Sequence, residues 1–99
     1  MRVRYSKRAV ADLIAIADYI REHNPRAAQA VERRIRASID RLETFSFIGR
    51  PTNDPSMRLL PIVRYPYVVF YEVLEGEVVI HHIRHGRRRT VDPGVARSE

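Results

Sequence analysis

Two hydrophobic periodicities divide the chain, one helical and one extended. Between residues 6 and 45 the apolar positions recur at steps of three and four, which places them on one face of an α-helix. They are Val10, Leu13, Ile14, Ala17 and Ile20 in a first segment and Ala28, Val31, Ile35, Ile39 and Leu42 in a second. Ser6 and Asn24, the latter followed by Pro25, stand where each helix needs an N-cap. The short connection between the segments predicts an antiparallel helical hairpin.

The second half of the chain has the pattern of strands. Three runs there resemble strands, residues 57–63, 66–74 and 77–85, and the last two are rich in Val, Ile, Tyr and Phe. Glu75-Gly76 predicts a tight hairpin turn between the last two runs. Pro61 cannot donate to a ladder, so the first run is predicted to be an edge strand or a bulged one. Segment 49–55 carries no apolar residue to bury and is predicted to be a loop.

The order of these elements indicates the fold class. A short alternating stretch around Val3 and Tyr5 precedes the helices, so the order is β-α-α-β-β-β. This order predicts an α+β domain with the helical hairpin packed on one face of a small, mostly antiparallel sheet. We expect a single domain over residues 1–99, with its core in about 2–90 and a short C-terminal tail at 91–99. A chain of 99 residues, 44% of them hydrophobic, can bury such a core without disulfides or metals.

The run 66–74 is largely apolar on both of its sides. One side carries Tyr67, Val69, Tyr71 and Val73, and the other carries Val68, Phe70, Glu72 and Leu74. Two helices can cover only one face of a sheet. We therefore expect the uncovered face to receive a partner segment, because contiguous exposed apolar residues mark interaction sites. The alternation does not say which side is uncovered.

Composition adds a strong basic bias. Eighteen Lys and Arg residues against twelve Asp and Glu give a net charge of +6, and Lys7 is the only lysine. Arginine suits bidentate contact with phosphate or carboxylate, so we expect an anionic partner, either nucleic acid or an acidic protein. The chain has no cysteine, no signal-peptide pattern at residues 1–8 and no apolar run of the roughly 20 residues that span a membrane. We expect a soluble cytoplasmic protein without a membrane partner.

The stretch HHIRHGRRR at 81–89 concentrates histidine and arginine at the end of the last predicted strand. His81 and His85 would lie roughly 13 Å apart along an extended strand, too far to bind one metal ion together, and His82 would face the other way. We therefore expect no metal site, and nothing in the sequence indicates a cofactor. The arginines are expected to collect at the rim of the uncovered face.

Several motifs, taken in order, resemble the RelE/ParE toxin superfamily. They are Asp18-Tyr19-Ile20, Asn24-Pro25, Gly49-Arg50-Pro51, the run from Arg64 to Tyr71 and the run from Ile83 to Arg88. The resemblance covers about residues 2–90 and implies the toxin of a type II toxin–antitoxin system. Such a toxin is held inactive by a cognate antitoxin, whose commonly acidic C-terminal segment wraps around it. On this basis Tyr67, Val69 and Tyr71 are expected to bind the antitoxin.

Two branches of the superfamily imply different functions. RelE-like members are ribosome-dependent mRNA endonucleases, and RNA cleavage needs a base, a donor to the phosphate and an acid. In that branch Arg64 and Arg84 would bind phosphate, and His85 would be the acid or base because its pKa is ordinarily near neutrality. The lysines and the C-terminal tyrosine or histidine typical of RelE are only partly matched, since the region offers no lysine and no tyrosine after Tyr71.

ParE-like members bind and poison DNA gyrase, which needs a complementary surface and no proton-transfer pair. The sequence around 65–71 and 84–88 resembles this branch more closely, so we favour it. Its target-binding residues are expected to be Arg58, Arg84, Arg87 and Arg88. A third hypothesis is a domain that has lost toxicity and serves only as the antitoxin's partner in autoregulation, where its basic surface adds salt-dependent attraction to DNA.

Overall fold

The computed structural model describes residues 1–86. Its elements are β1 (Arg2–Tyr5), α1 (Lys7–Arg21), α2 (Pro25–Asp40) with a 3₁₀ turn at Arg41–Glu43, β2 (Arg50–Pro51), β3 (Arg58–Pro61), β4 (Tyr67–Leu74) and β5 (Glu77–His85). The predicted tail at 91–99 and the end of the predicted core at 87–90 lie outside the described residues. Within 1–86 no helix is both long and apolar enough to cross a membrane.

The strands form one sheet in the order β1-β5-β4-β3-β2. β1 runs parallel to β5, and every other pair is antiparallel. Both helices pack on one face of the sheet, so the predicted α+β class is confirmed. An ion pair between Arg4 and Glu77, 3.2 Å long, joins the parallel strands, and the hydrogen bond from Arg4 lowers the pKa of Glu77.

One strand lies in the segment that was predicted to be a loop. Arg50 and Pro51 pair with Leu59 and Arg58 at the edge of the sheet. The prediction was wrong here because it relied on the absence of apolar side chains, whereas an edge strand needs only backbone groups in register. β3 is therefore not the edge strand that Pro61 suggested, because β2 lies outside it. β2 pairs only with Arg58 and Leu59, so Pro61 at the end of β3 has no strand on that side to which it would have to donate.

Both predicted helix starts are confirmed by their caps. Ser6 Oγ accepts a hydrogen bond from the Ala9 amide at 3.0 Å, and Asn24 Oδ1 accepts one from the Ala27 amide at 3.1 Å. Pro25 occupies the first helical position, where no amide hydrogen is needed. These caps fix the helix starts and keep the connection at 22–24 short, which makes the two helices antiparallel neighbours.

The buried face of α1 is rotated from the predicted one, whereas that of α2 is as predicted. Ala9, Leu13 and Ala17 are the buried residues of α1. Val10 and Ile14, by contrast, are 45% and 56% exposed. Val10 and Ile14 directly follow the buried Ala9 and Leu13, and one helical step turns each of them about 100° away from the buried face. An exposed apolar pair results on the outer side of α1.

The structure corrects the expected position of Tyr67, Val69 and Tyr71. Their relative exposures are 8%, 0% and 0%, and all three belong to the core under the helices. Val69 and Tyr71 lie opposite Ile83 and Ile80, which are also buried. The expectation that these three side chains bind an antitoxin on an uncovered face is therefore wrong: alternation separated the two sides of β4 but did not identify the covered one.

The hydroxyl of buried Tyr71 joins the sheet to the chain that leaves α2. It donates to the Ser46 carbonyl at 2.8 Å and accepts from the Gly49 amide at 2.9 Å. A Cβ at Gly49 would lie 2.7 Å from the Tyr71 ring and 2.8 Å from the Leu59 carbonyl, so only glycine allows this approach. Segment 46–49 is thus held in one conformation by a side chain of the central sheet.

Tyr71→Phe should lower the free energy of unfolding by about 1–3 kcal/mol, because it leaves a buried carbonyl and a buried amide without a partner. Urea denaturation measures the change. Tyr65→Phe is the matched control: Tyr65 is half-buried, and its hydroxyl makes no hydrogen bond within residues 1–86. Equal effects of the two substitutions would contradict an anchoring role for the Tyr71 hydroxyl.

Candidate functional site

The predicted catalytic residues Arg84 and His85 are neighbours in β5 and project to opposite faces of the sheet. Arg84 lies opposite Val68, on the face away from the helices. His85 lies opposite Tyr67, and its ring meets the Tyr67 ring edge-on with centroids 5.4 Å apart. The two side chains therefore lie against different aromatic rings, and both residues border the same groove beside α1.

The sequence suggested that Arg84 is an exposed charge at the rim of the uncovered face, but the structure buries it. Its relative exposure is 6%, its guanidinium carbon lies 5.5 Å from the centre of the Phe70 ring, and Nη1 donates to the His85 carbonyl at 3.0 Å. His82 stacks on the same Phe70 ring, with centroids 6.0 Å apart. Polar side chains of β5 thus shield the apolar centre of the face that the helices leave uncovered.

Arg64 lies at the same end of the sheet, in the exposed turn between β3 and β4. The Ile62 amide donates to the Tyr67 carbonyl at 2.9 Å across this turn, and the Gly86 amide donates to the Pro66 carbonyl at 2.7 Å. Arg64 itself has φ 79°, a left-handed conformation that side chains other than glycine adopt only at a cost. The fold brings Arg64, Arg84 and His85 to one end of the sheet without aiming them at one substrate atom.

The predicted target-binding arginines differ in their surroundings. Arg58 is half-buried, and its Nε donates to the Gly49 carbonyl at 2.9 Å. Its guanidinium also lies 5.2 Å from the centre of the Phe47 ring, so it stabilises the same segment as Tyr71. Arg87 and Arg88 lie outside the described residues, and their target-binding role stays a prediction.

Sequence reasoning missed an acid–histidine contact between α1 and β5. The Asp12 carboxylate accepts from His82 Nδ1 at 2.5 Å and from the Ile83 amide at 3.0 Å. The pairing of β4 with β5 shifts register between Phe70 and Tyr71, and this bulge re-aims the residues that follow Ile80. Asp12 comes three residues after buried Ala9, so the correct helix face would have revealed it at the border of the core.

This contact leaves His82 poorly placed for proton transfer. Nδ1 faces Asp12, and Nε2 lies 3.3 Å from Arg8 Nη2, so the network assigns the hydrogen to Nδ1 and an acceptor role to Nε2. Both ring nitrogens are occupied by protein groups. Within residues 1–86 no group of three His, Asp or Glu side chains is arranged to hold a metal ion.

Two grooves flank α1. One, of about 360 Å³, runs between α1 and the ends of β4 and β5, with Ile16, Tyr19 and Tyr67 among its walls. The other, of about 310 Å³, lies between α1 and α2 above the exposed Val10 and Ile14. Both are apolar depressions with charged borders, which suits the binding of a peptide segment.

Comparison with known proteins agrees with this arrangement. The family model described as the ParE toxin of the type II toxin–antitoxin system parDE matches residues 3–90. The chain belongs to the ParE toxin family. A chain of the chromosomal ParDE toxin–antitoxin system from P. aeruginosa superposes with a TM-score of 0.80 at 27% identity, over 86% of this chain and 95% of that one.

Two curated relatives of this ParE-family toxin extend the comparison. Toxin RelE2 of Caulobacter vibrioides is 40% identical over 87 residues, which cover 88% of this chain and 97% of the relative. Putative toxin Y4kP of Sinorhizobium fredii is 32% identical over 88 residues, or 89% and 91% of the two chains. The predicted RelE/ParE superfamily membership is therefore confirmed.

Asp12→Ala should destabilise this ParE-family toxin by about 1–3 kcal/mol, because it removes the acceptor for the Ile83 amide and for His82. Asp18→Ala on the same helix is the control, since within residues 1–86 the Asp18 carboxylate forms only an exposed ion pair with Arg21, and its loss should cost less than about 1 kcal/mol. Thermal or urea unfolding measures both changes. A smaller effect at Asp12 than at Asp18 would show that the carboxylate does not hold α1 to β5.

Arg64→Gly should raise the free energy of unfolding by about 0.5–1 kcal/mol, because glycine adopts φ 79° without the steric cost that arginine bears. Arg64→Val removes the same charge but places a β-branched residue at that φ, and it should destabilise by more than about 1 kcal/mol. Urea denaturation of both variants measures the difference. Equal shifts would mean that the side chain, and not the backbone conformation, governs stability there.

Proposed function

We propose that this chain is a ParE-like toxin that inhibits growth by binding and poisoning DNA gyrase and that a cognate antitoxin neutralises it. The ParE family match over residues 3–90 supports this branch. The observation that carries the proposal is the opposite orientation of Arg84 and His85 in β5. A gyrase inhibitor acts by surface complementarity, so it does not require these side chains to meet.

The geometry offers little support for a nuclease. General acid–base cleavage needs a proton acceptor and a proton donor on either side of one phosphate. His82 faces Asp12 and Arg8, His85 packs edge-on against Tyr67, and Arg84 lies over Phe70. The described histidines therefore serve packing and hydrogen bonding between elements, which favours a binding function.

An antitoxin partner fits the charge and the shape of the surface. The outer side of α2 exposes Arg26, Arg33 and Arg34, which would attract an acidic segment. The groove between the helices presents Val10 and Ile14, the apolar pair that α1 leaves out of the core. A segment that is both apolar and acidic would bury this pair, and the groove replaces β4 as the expected site of antitoxin contact.

A RelE-like mRNA endonuclease is the second candidate. It is favoured by the 40% identity with a relative named Toxin RelE2. In this case Arg64 in its exposed turn would contact the RNA backbone, and His85 would transfer a proton. The two candidates differ in whether His85 must titrate.

The test adds the purified protein in parallel to a gyrase supercoiling assay and to a translating ribosome assay with mRNA cuts mapped by primer extension. We expect loss of supercoiling, or trapped cleaved DNA, with intact mRNA. His85→Gln should retain this inhibition, because glutamine keeps a polar side chain of similar size and loses only the ability to transfer protons.

Two results would contradict the proposal. Codon-positioned mRNA cuts that His85→Gln abolishes, with gyrase unaffected, would establish the endonuclease. Inactivity in both assays, with antitoxin binding preserved, would establish the non-toxic partner in autoregulation.

A further inference from the structure

The segment between α2 and β2 presents an apolar surface that the proposed function does not use. Phe45, Phe47 and Ile48 are 55%, 64% and 47% exposed, although they surround the buried Ser46. We call residues 44–49 the aromatic loop. A single exposed apolar side chain is ordinary, but three large ones within four positions form a patch of the kind that binds partners.

Hydrogen bonds hold the backbone of the aromatic loop at Ser46 and at Gly49, on either side of Phe47 and Ile48. Ser46 Oγ donates to the Leu42 carbonyl at 2.8 Å, and the Ser46 carbonyl accepts from the Tyr71 hydroxyl at 2.8 Å. On the far side, the Gly49 amide and carbonyl bind Tyr71 and Arg58 at 2.9 Å each. The exposed side chains cannot turn inward without breaking these bonds. A preorganised patch loses little conformational entropy when it binds, which favours affinity.

Two arginines give the aromatic loop a positive border. The Arg41 guanidinium lies 5.9 Å from the centre of the Phe45 ring, and that of Arg58 lies 5.2 Å from the centre of the Phe47 ring. Each guanidinium lies over one face of its ring. Arg58 already donates to the Gly49 and Phe47 carbonyls, whereas the exposed Arg41 makes no side-chain hydrogen bond within residues 1–86 and can offer its donors to a partner. A complementary partner therefore supplies a large apolar side chain with carboxylates beside it.

A protein segment fits this patch better than a single-stranded nucleic acid. Bases bind such surfaces by stacking on ring faces, and one face of each phenylalanine ring is already covered by an arginine. Ile48 and the neighbouring Met1, whose sulfur lies 3.4 Å from Ser46 Oγ, are aliphatic and offer no stacking surface.

We propose that the aromatic loop is a docking point for an acidic, apolar segment of the antitoxin, with Phe47 and Ile48 as its apolar anchors and Arg41 as its charged contact. This inference rests on the proposed antitoxin partnership and adds a second contact, at the end of α2, to the groove between the helices. The antitoxin would thereby bridge α1 and the edge of the sheet that ends in β2.

The test measures the affinity of the purified toxin for the antitoxin encoded with it, by isothermal titration calorimetry. Phe47→Ser combined with Ile48→Ser should raise Kd by at least about tenfold, because apolar anchors dominate such interfaces. Val63→Ser is the control, since Val63 is 65% exposed in the turn between β3 and β4 and should leave Kd unchanged. Arg41→Glu should raise Kd independently and weaken its dependence on salt. Circular dichroism checks that each variant is folded.

The opposite outcomes are distinct. An unchanged Kd in both the double variant and Arg41→Glu would overturn the docking point and leave the proposed function intact. Loss of gyrase inhibition with an unchanged antitoxin Kd would overturn it by assigning the patch to the target. A wild-type toxin that does not bind the antitoxin would overturn the antitoxin partnership together with this inference. Binding of a single-stranded RNA oligonucleotide that the double variant loses, again with an unchanged antitoxin Kd, would assign the patch to nucleic acid.

Discussion

The hydroxyl of Tyr71 is the contact on which the arrangement of this toxin's surface depends. Its ring lies in the core, and its single oxygen binds both Ser46 and Gly49. A side chain of a central strand therefore determines where the chain goes after α2. Because Gly49 has no side chain, the backbone can approach that ring, and Arg58 adds a second bond to the same residue. The large apolar side chains of this segment stay exposed because hydrogen bonds fix the backbone of Ser46 and Gly49 against the core.

At the other end of the sheet, a carboxylate of α1 binds the edge of β5. β1 covers β5 only as far as Ile80, and beyond that point Asp12 of α1 takes over by accepting from the Ile83 amide. A helix carboxylate thus satisfies a strand edge that would otherwise need a further strand. The bulge in β5 makes this possible, since it re-aims His82 toward the same carboxylate. The histidines that stand out in the sequence are used to join elements.

Periodicity and capping chemistry were sufficient to predict the helices, four of the five described strands and the fold class, because these depend on local residue patterns. The buried face of each helix and strand was harder to predict. The apolar spacing of α1 fits two adjacent stripes, and only contact with α2 and β5 decides that Leu13 is buried and Ile14 is not. Alternation along β4 gives two sides that are both apolar, so it could not show that Tyr71 lies on the face covered by the helices. The contact of Asp12 with His82 joins residues 70 positions apart, which no local pattern encodes.

The errors at the charged residues of the site share one physical cause. Arginine and histidine carry large apolar or planar surfaces as well as charge, and a sequence shows only the charge. In the structure Arg84 packs on Phe70 and Arg58 on Phe47, while His82 stacks on the same ring as Arg84. A basic composition therefore does not by itself establish an anion-binding surface, because some of the basic side chains pack against aromatic rings. The exposed arginines of the described residues are spread over several elements, among them Arg4 on β1, Arg8 on α1, Arg33 on α2 and Arg64 in the turn before β4.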